Sequence, residues 1–479
     1  VTAADTRATS TGEPFLVELT AHPLQRVGAF ALAVLAKESH PRRVSEDRFL
    51  RVWNRMTEDA VAATRETDAK QPGAFLLSAS YALWPNSKMN IPSLRKLSAD
   101  QRGQAVVEWR TPRAPESWPE APCALCGRRA CGFYGKVDVP LAMSTEYRNT
   151  TVVGHDGMPL CRTCLGSFYA LPYACHFQGG RATITHAWDE DFLSFATRHQ
   201  VEDTRKRIGR VSVTPSKWPA YVRESLLVNR IRAYGHPVRS DVSLIIFTNN
   251  NQEQELTEQR MDQPLVEWIH AVRQDKSSDH WNSLERACHS EKVPGAAALA
   301  GELVRSPRRL PAKVLRYLVP LLTSAADTRD EIRQLVGALR SFVGKVLHVN
   351  DRELQEIEGL GKRTAALMMA TKKKVKPFVV AYRKSTTFRK WFNDGAVEWL
   401  LWRDREELTS LIDTTEPFVT PTHLRWLFEP DEQAWLRRNL LFVAVIHELH
   451  SQGYRPDSDD TRSIEDTLHT DGEDKENDE

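Results

Sequence analysis

The sequence predicts an α+β protein: a mixed N-terminal region with an inserted four-cysteine module, followed by a C-terminal α-helical bundle. Three observations carry the prediction. Two Cys-x-x-Cys knuckles, Cys123-Ala-Leu-Cys126 and Cys161-Arg-Thr-Cys164, stand 34 residues apart. One β-rich run, Val242-Ser-Leu-Ile-Ile-Phe-Thr248, is followed by Asn249-Asn-Asn251, a turn composition because asparagine tolerates positive φ. From about Pro294 apolar residues recur at three- and four-residue intervals, the period of a helix with one buried face.

The elements follow in chain order. Phe15-Leu-Val-Glu-Leu19 reads as a short strand, and Val27 to Leu35 as a compact apolar helix. A second helix starts after Ser45, whose hydroxyl can cap free backbone N–H groups ahead of Phe49, Leu50, Val52, Trp53 and Met56. Tyr81 to Asn90, aromatic and then polar, reads as a loop leaving a packed segment. A proline-rich stretch from Thr111 to Pro122 leads into the knuckles, and the module ends near Gly180. Gln252 to Met261 returns as the hairpin partner of the strand at Val242. In the C-terminal half, 329–348, 378–402 and 431–452 are the clearest helices, and short connections make them a bundle. The expected divisions are 1–110 (N-terminal α+β part), 111–185 (metal module), 186–290 (remainder of that domain, with a hairpin near 242–261), 291–454 (bundle) and 455–479 (acidic disordered tail).

Composition narrows the class. A chain of 479 residues with 41% hydrophobic and 27% charged residues is ordinary for a soluble protein of two or three domains. With no run of eighteen apolar residues and no secretory layout at Val1–Pro14, no membrane partner is expected. Seven cysteines, an odd number grouped as knuckles, point to a reducing cytoplasm and metal ligation. Eleven acidic against three basic residues from Arg455 to Glu479 put that tail at −8, so the body carries +10 of the net +2. Such an excess suits a polyanionic partner, because each cation that meets a phosphate releases counterions.

Four thiolates in two close pairs can close a tetrahedral shell around Zn²⁺ and leave no open position, which makes a structural site. The expected ligands are Cys123, Cys126, Cys161 and Cys164; Cys131, His155 and Cys175 lie close enough in sequence to substitute. Enzyme constellations are poor. His155-Asp156 sits in a Gly-His-Asp-Gly turn composition, and His447-Glu-Leu-His450 is one residue short of zinc-peptidase spacing. No Gly-x-Ser-x-Gly elbow occurs. The expectation is a protein without catalysis of its own. For phosphate contact there are two alternatives at Leu354–Leu367. A helix-hairpin-helix turn would present Gly359, Gly361, Lys362 and Arg363 to a phosphate; otherwise Gly359 ends one helix and another begins. Lys372-Lys-Lys374 and Lys376 follow, either as phosphate contacts or as cations at a solvated helix C-terminus.

Taken in order, these parts resemble the CXXC–CXXC family of large subunits of type I (I-A/I-B-like) CRISPR interference complexes. The resemblance rests on Leu19-Thr-Ala-His-Pro-Leu-Gln-Arg-Val-Gly28, where Ala21 replaces the family's usual glycine, and on Trp84-Pro-Asn-Ser. It continues through the first knuckle and the run Pro159-Leu-Cys-Arg-Thr-Cys164 to Ala170-Leu-Pro172 and Gly179-Gly180. The resemblance implies a ribonucleoprotein of guide RNA with CRISPR backbone and small subunits, placed beside the RNA's 5′ handle. It implies recognition of a protospacer-adjacent motif in double-stranded target DNA, support of R-loop formation, and guidance of the displaced single strand by the C-terminal bundle. A recruited helicase-nuclease would cut, in a prokaryotic cytoplasm, and sequence reading would be delegated to guide–target pairing. Motif reading is expected at Asn86, Ser87, Lys88 and Asn90, since such side chains reach groove acceptors. Strand contact is expected at Arg363, Lys372, Lys373, Lys374 and Lys376. The alternative is a stand-alone zinc-ribbon DNA- or RNA-binding protein using the Gly359–Arg363 turn.

Overall fold

The computed structural model describes residues 14–71, 73–143, 157–208, 219–249, 254–275, 279–323, 328–373, 375–431 and 433–454. The acidic tail 455–479, Lys374 and the His155-Asp156 pair lie outside the described residues. Among the described residues helix makes up 61% and strand 8%, in two small sheets, so the α+β class holds with helix dominant. Two compact units emerge: residues 1–219 with 229–263, and residues 220–228 with 264–479. The second unit therefore starts before the expected residue 291, because the helices from Pro264 onward pack with the bundle.

In the first unit the helices are α1 (Pro23–Leu35), α2 (Glu46–Ala63), α3 (Phe75–Leu83) and α4 (Ala99–Arg110). Next come β1 (Gly132–Tyr134), β2 (Met158–Leu160), α5 (Arg162–Ala174), β3 (His176–Gln178), β4 (Arg181–Ala187) and α6 (Glu190–Ile208). The series closes with α7 (Val222–Ala233), which the two units share, and with β5 (Val242–Asn249) and β6 (Gln254–Met261). Pro23 opens α1 and the His22 ring caps it by accepting the Gln25 N–H. Ser45 caps α2 as its sequence predicts, with Glu46 and Asp47 in the first turn. Residues Leu24 to Ala33 of α1 and Thr163 to Ala174 of α5 are buried without a break. A helix apolar all round belongs in a core, and these two lie against each other.

Gly28 sets their distance. A Cβ there would fall 2.1 Å from the Ser167 carbonyl oxygen, so only glycine lets the backbones approach this closely. Phe15–Leu19 does not form the strand its composition suggests. The Gln25 side chain occupies the ladder position, donating to the Glu18 carbonyl at 2.9 Å and accepting from Thr20. The larger sheet runs β3-β4-β5-β6, all antiparallel, with the predicted hairpin in register Val242↔Met261. Gly179 and Gly180, both at positive φ, make the two-residue turn between β3 and β4. Ala182, Ile184, Ile245 and Phe247 join the core of α1 and α5.

An aromatic cage closes the same core. The Arg110 guanidinium lies 3.8 Å from the Tyr169 ring centroid, 4.6 Å from Trp109 and 4.8 Å from Trp84. Burial lowers its pKa, and the neighbouring Tyr169, Tyr173 and Asp138 oppose that shift. Ring faces take the place of a direct ion pair here.

Among the described residues the regular structure of the second unit is all helical. It holds α8 (Gln263–Gln274), α9 (His280–Cys288), α10 (Gly295–Arg305), α11 (Leu310–Thr323) and α12 (Arg329–Val346). It continues with α13 (Asp351–Ala370), α14 (Val375–Tyr382), α15 (Ser385–Trp402), the single turn α16 (Glu406–Thr409), α17 (Pro421–Phe428) and α18 (Ala434–Ser451). Phe378, Phe388, Phe392 and Phe418 interlock at one end. Trp268, fully buried, meets Phe342 edge-on at 5.0 Å.

Candidate metal centre and polar surfaces

The metal centre is built by two local devices. Gly127, at φ +77°, turns the chain after Cys126, and its N–H donates to the Cys123 carbonyl at 2.9 Å. Cys161 caps α5: the Cys164 N–H points at its sulfur at 3.5 Å, and the Thr163 hydroxyl lies 3.3 Å from it. A helix N-terminus favours thiolate. The β1–β2 ladder joins the knuckles, with Ala124 N–H donating to Pro159 and Cys131 N–H to Leu160.

The sulfurs of Cys123, Cys126, Cys161 and Cys164 all lie within 4.8 Å of one another, and Cys126 is 3.4 Å from Cys161. A tetrahedral ion with bonds of about 2.3 Å places its sulfurs about 3.8 Å apart, so the set fits one metal. None of the four is in a disulfide. Crowding splits the thiols: the hydrogen bond from Cys126 holds Cys123 low, while the bonds to Cys123 push Cys126 and Cys164 up. Such mutual opposition is what a cation relieves when it binds all four as thiolates. Cys131 stands outside the shell, beside the Tyr134 hydroxyl at 3.2 Å, and burial pushes its thiol up to about 11. Cys175 is buried and likewise raised. Among the described residues no second group of three or more His, Cys, Asp or Glu comes together. The module expected as an insertion is embedded: Cys123, Cys161 and Cys164 belong to the same core cluster as α1.

At Trp84–Asn90 the four expected contact residues divide. Asn86 and Lys88 are exposed, and Asn86 takes φ +62°. Ser87 and Asn90 are buried and structural, a correction to their expected role. Asn90 Nδ2 donates to Ser80 Oγ and the Trp84 carbonyl, both at 3.0 Å, because the loop must satisfy its own buried groups. Asn86 and Asn90 line an open polar cavity of about 410 Å³ with Tyr81, Arg95, Gly180 and Thr248. The sequence reading missed the last four, which come from three separate segments. The Gly179-Gly180 pair was the signal the sequence offered.

The helix-hairpin-helix turn does not exist. α13 runs unbroken from Asp351 to Ala370, so the N–H groups of Gly359, Gly361 and Arg363 are spent inside the helix. Gly361 serves packing instead, since a Cβ there would fall 2.6 Å from the Ala444 side chain on α18. Arg363 is also removed from strand contact: it is buried, donates to the Phe418 carbonyl at 3.1 Å and pairs with Glu416 at 2.7 Å. Lys373 is held by Glu398. Lys372 and Lys376 are exposed. Among the described residues no helix is long and apolar enough to cross a membrane. Compared with known proteins, the chain matches no family model, no curated protein and no solved structure.

Proposed function

We propose that this chain is the non-catalytic large subunit of a type I CRISPR RNA-guided interference complex, with Zn²⁺ as a structural ion on its four thiolates. The observation that carries the reading is a convergence on α5. Three of the segments behind the family resemblance meet that helix. Gly28 abuts Ser167, Gln25 donates to Ser167 Oγ at 3.3 Å, Trp84 lies 6.1 Å from Tyr169, and the second knuckle opens the helix.

In this reading zinc fixes the entry of α5, and α5 fixes the polar cavity at Tyr81, Asn86 and Arg95 through Trp84. That cavity is the surface assigned to adjacent-motif reading in duplex DNA. Lys372 and Lys376 are assigned to the displaced strand. Guide RNA, backbone and small subunits and a recruited helicase-nuclease are the partners, and the setting is a prokaryotic cytoplasm. The test is co-expression with those subunits and a guide array, followed by sequencing of co-purified RNA. A stable particle with RNAs sharing one 5′ end is expected. A chain that purifies free of RNA and of the subunits would overturn the reading.

A further inference from the structure

A cavity of about 570 Å³ in the first unit shares no lining residue with the cavity at Trp84–Asn90. It falls in the range of about 300–1,000 Å³ typical of small-ligand sites. Lys37, Arg48, Arg51, Arg55 and Arg205 line it against one carboxylate, Asp59. They come from the end of α1, one face of α2 and the last turn of α6. Leu35, Val52, Met56 and Ile208 form an apolar floor, with Tyr173 beside them. Some of this charge is spent locally: Arg48 pairs with Glu38, and Arg55 with Asp59 at 3.2 Å, which also accepts from Tyr173 at 2.8 Å. Arg51 makes only an exposed pair with Asp47, its side chain 62% exposed, and Arg205 is exposed at the helix end.

We infer that this cleft holds a nucleotide of a single-stranded nucleic acid, its base on the apolar floor and its phosphate on Arg51, Arg205 and Lys37. The inference rests on the proposed nucleic-acid role and adds a ligand site to it. The chemistry favours a nucleotide over an acidic side chain. A carboxylate on one or two methylenes would satisfy the rim and leave the floor uncovered, whereas a base covers it and carries a phosphate at its edge. Four arginines to one lysine fit the same ligand, since guanidinium forks phosphate in two bonds and stacks on flat rings. Asp59, held by Arg55 and Tyr173, keeps a lone pair for a base N–H.

The test uses the full chain and fluorescein-labelled eight-nucleotide single-stranded RNA and DNA, read by anisotropy. Adenosine 5′-monophosphate and inorganic phosphate serve as competitors. Arg51→Glu with Arg205→Glu should weaken oligonucleotide binding at least ~10-fold and flatten the log–log salt slope by about 1.4, two contacts at about 0.7 each. Both positions are exposed, so melting should stay unchanged, and Arg333→Glu on the second unit should leave affinity as it was. The RNA and DNA arms decide which strand supplies the nucleotide. Wild-type affinity in the double variant overturns the inference, as does phosphate competing as well as the mononucleotide. If the double variant loses oligonucleotide binding while no guide RNA or subunit co-purifies with the chain, the cleft stands and the CRISPR reading falls. If the variant assembles with guide RNA and binds oligonucleotide normally, the reverse holds.

Discussion

Gly28→Ala isolates the α1–α5 contact with one methyl group. The new Cβ would sit 2.1 Å from the Ser167 carbonyl oxygen and 2.7 Å from its carbon, against an ordinary contact of 3.4 Å or more. Both obstacles are backbone, so no side chain can swing aside, and the helices must part by about 1.3 Å. Overpacking of this kind costs about 1–3 kcal/mol, and a backbone clash belongs at the upper end. Alanine's better helix propensity returns about 1 kcal/mol. A net loss of about 2 kcal/mol remains, which lowers Tm by roughly 4–8 °C for a unit of this size. The assay is thermal unfolding by circular dichroism with Gly359→Ala as the matched control. There the nearest atom to the new Cβ is the Arg363 guanidinium at 3.6 Å, so that variant should gain about 0.4–1 kcal/mol. A Gly28→Ala protein as stable as wild type would refute the close-approach argument.

Three other predictions follow. Cys123→Ser should strip the metal and unfold the first unit, because a structural zinc contributes about 10–16 kcal/mol and a domain holds only about 5–15 in reserve; Cys131→Ser should keep full metal content, and equal metal-to-chain ratios in both variants would contradict the ligand set. His186 is lowered by burial from its usual value near 6.5 to about 4, so the unfolded chain binds the extra proton between those values. Stability is whole above about pH 6.5 and falls by up to about 3 kcal/mol toward pH 4; melting at pH 7.5 and pH 5 should show a smaller loss for His186→Leu. Lys372→Ala with Lys376→Ala should lower the salt slope of single-strand binding by about 0.7 per contact, whereas Arg363→Ala should lower Tm and leave that slope alone.

Local chemistry made the metal centre and the main hairpin legible. Both knuckles are read within four residues, and three asparagines announce the turn after β5. What the sequence concealed depends on approach between distant segments. Gly359 and Gly361 look like a turn because glycine usually marks one, yet Gly361 is required by Ala444 across a helix pair. Ser87 and Asn90 look like surface because they are polar, yet they satisfy a buried loop. β4 passed unnoticed since Arg181, Thr183, Thr185 and His186 give no apolar run. The cationic cleft gathers α1, α2 and α6, and no window of sequence holds all three.

The contact between Gln25 and Ser167 spans 142 residues of chain. At synthesis rates of about 5–20 residues per second, α1 waits roughly 7–28 s for the helix that covers it. Isolated helices form and melt within microseconds, so the apolar residues of α1 stay uncovered through that wait, whether helical or not. The first knuckle appears during that interval with only half a shell. The cysteines that complete the ion and the surface that shelters α1 then leave the ribosome together, on one helix. Closure of the unit is thus timed by the arrival of α5, and a metal bound at that moment would shorten the time the apolar surface of α1 stays bare.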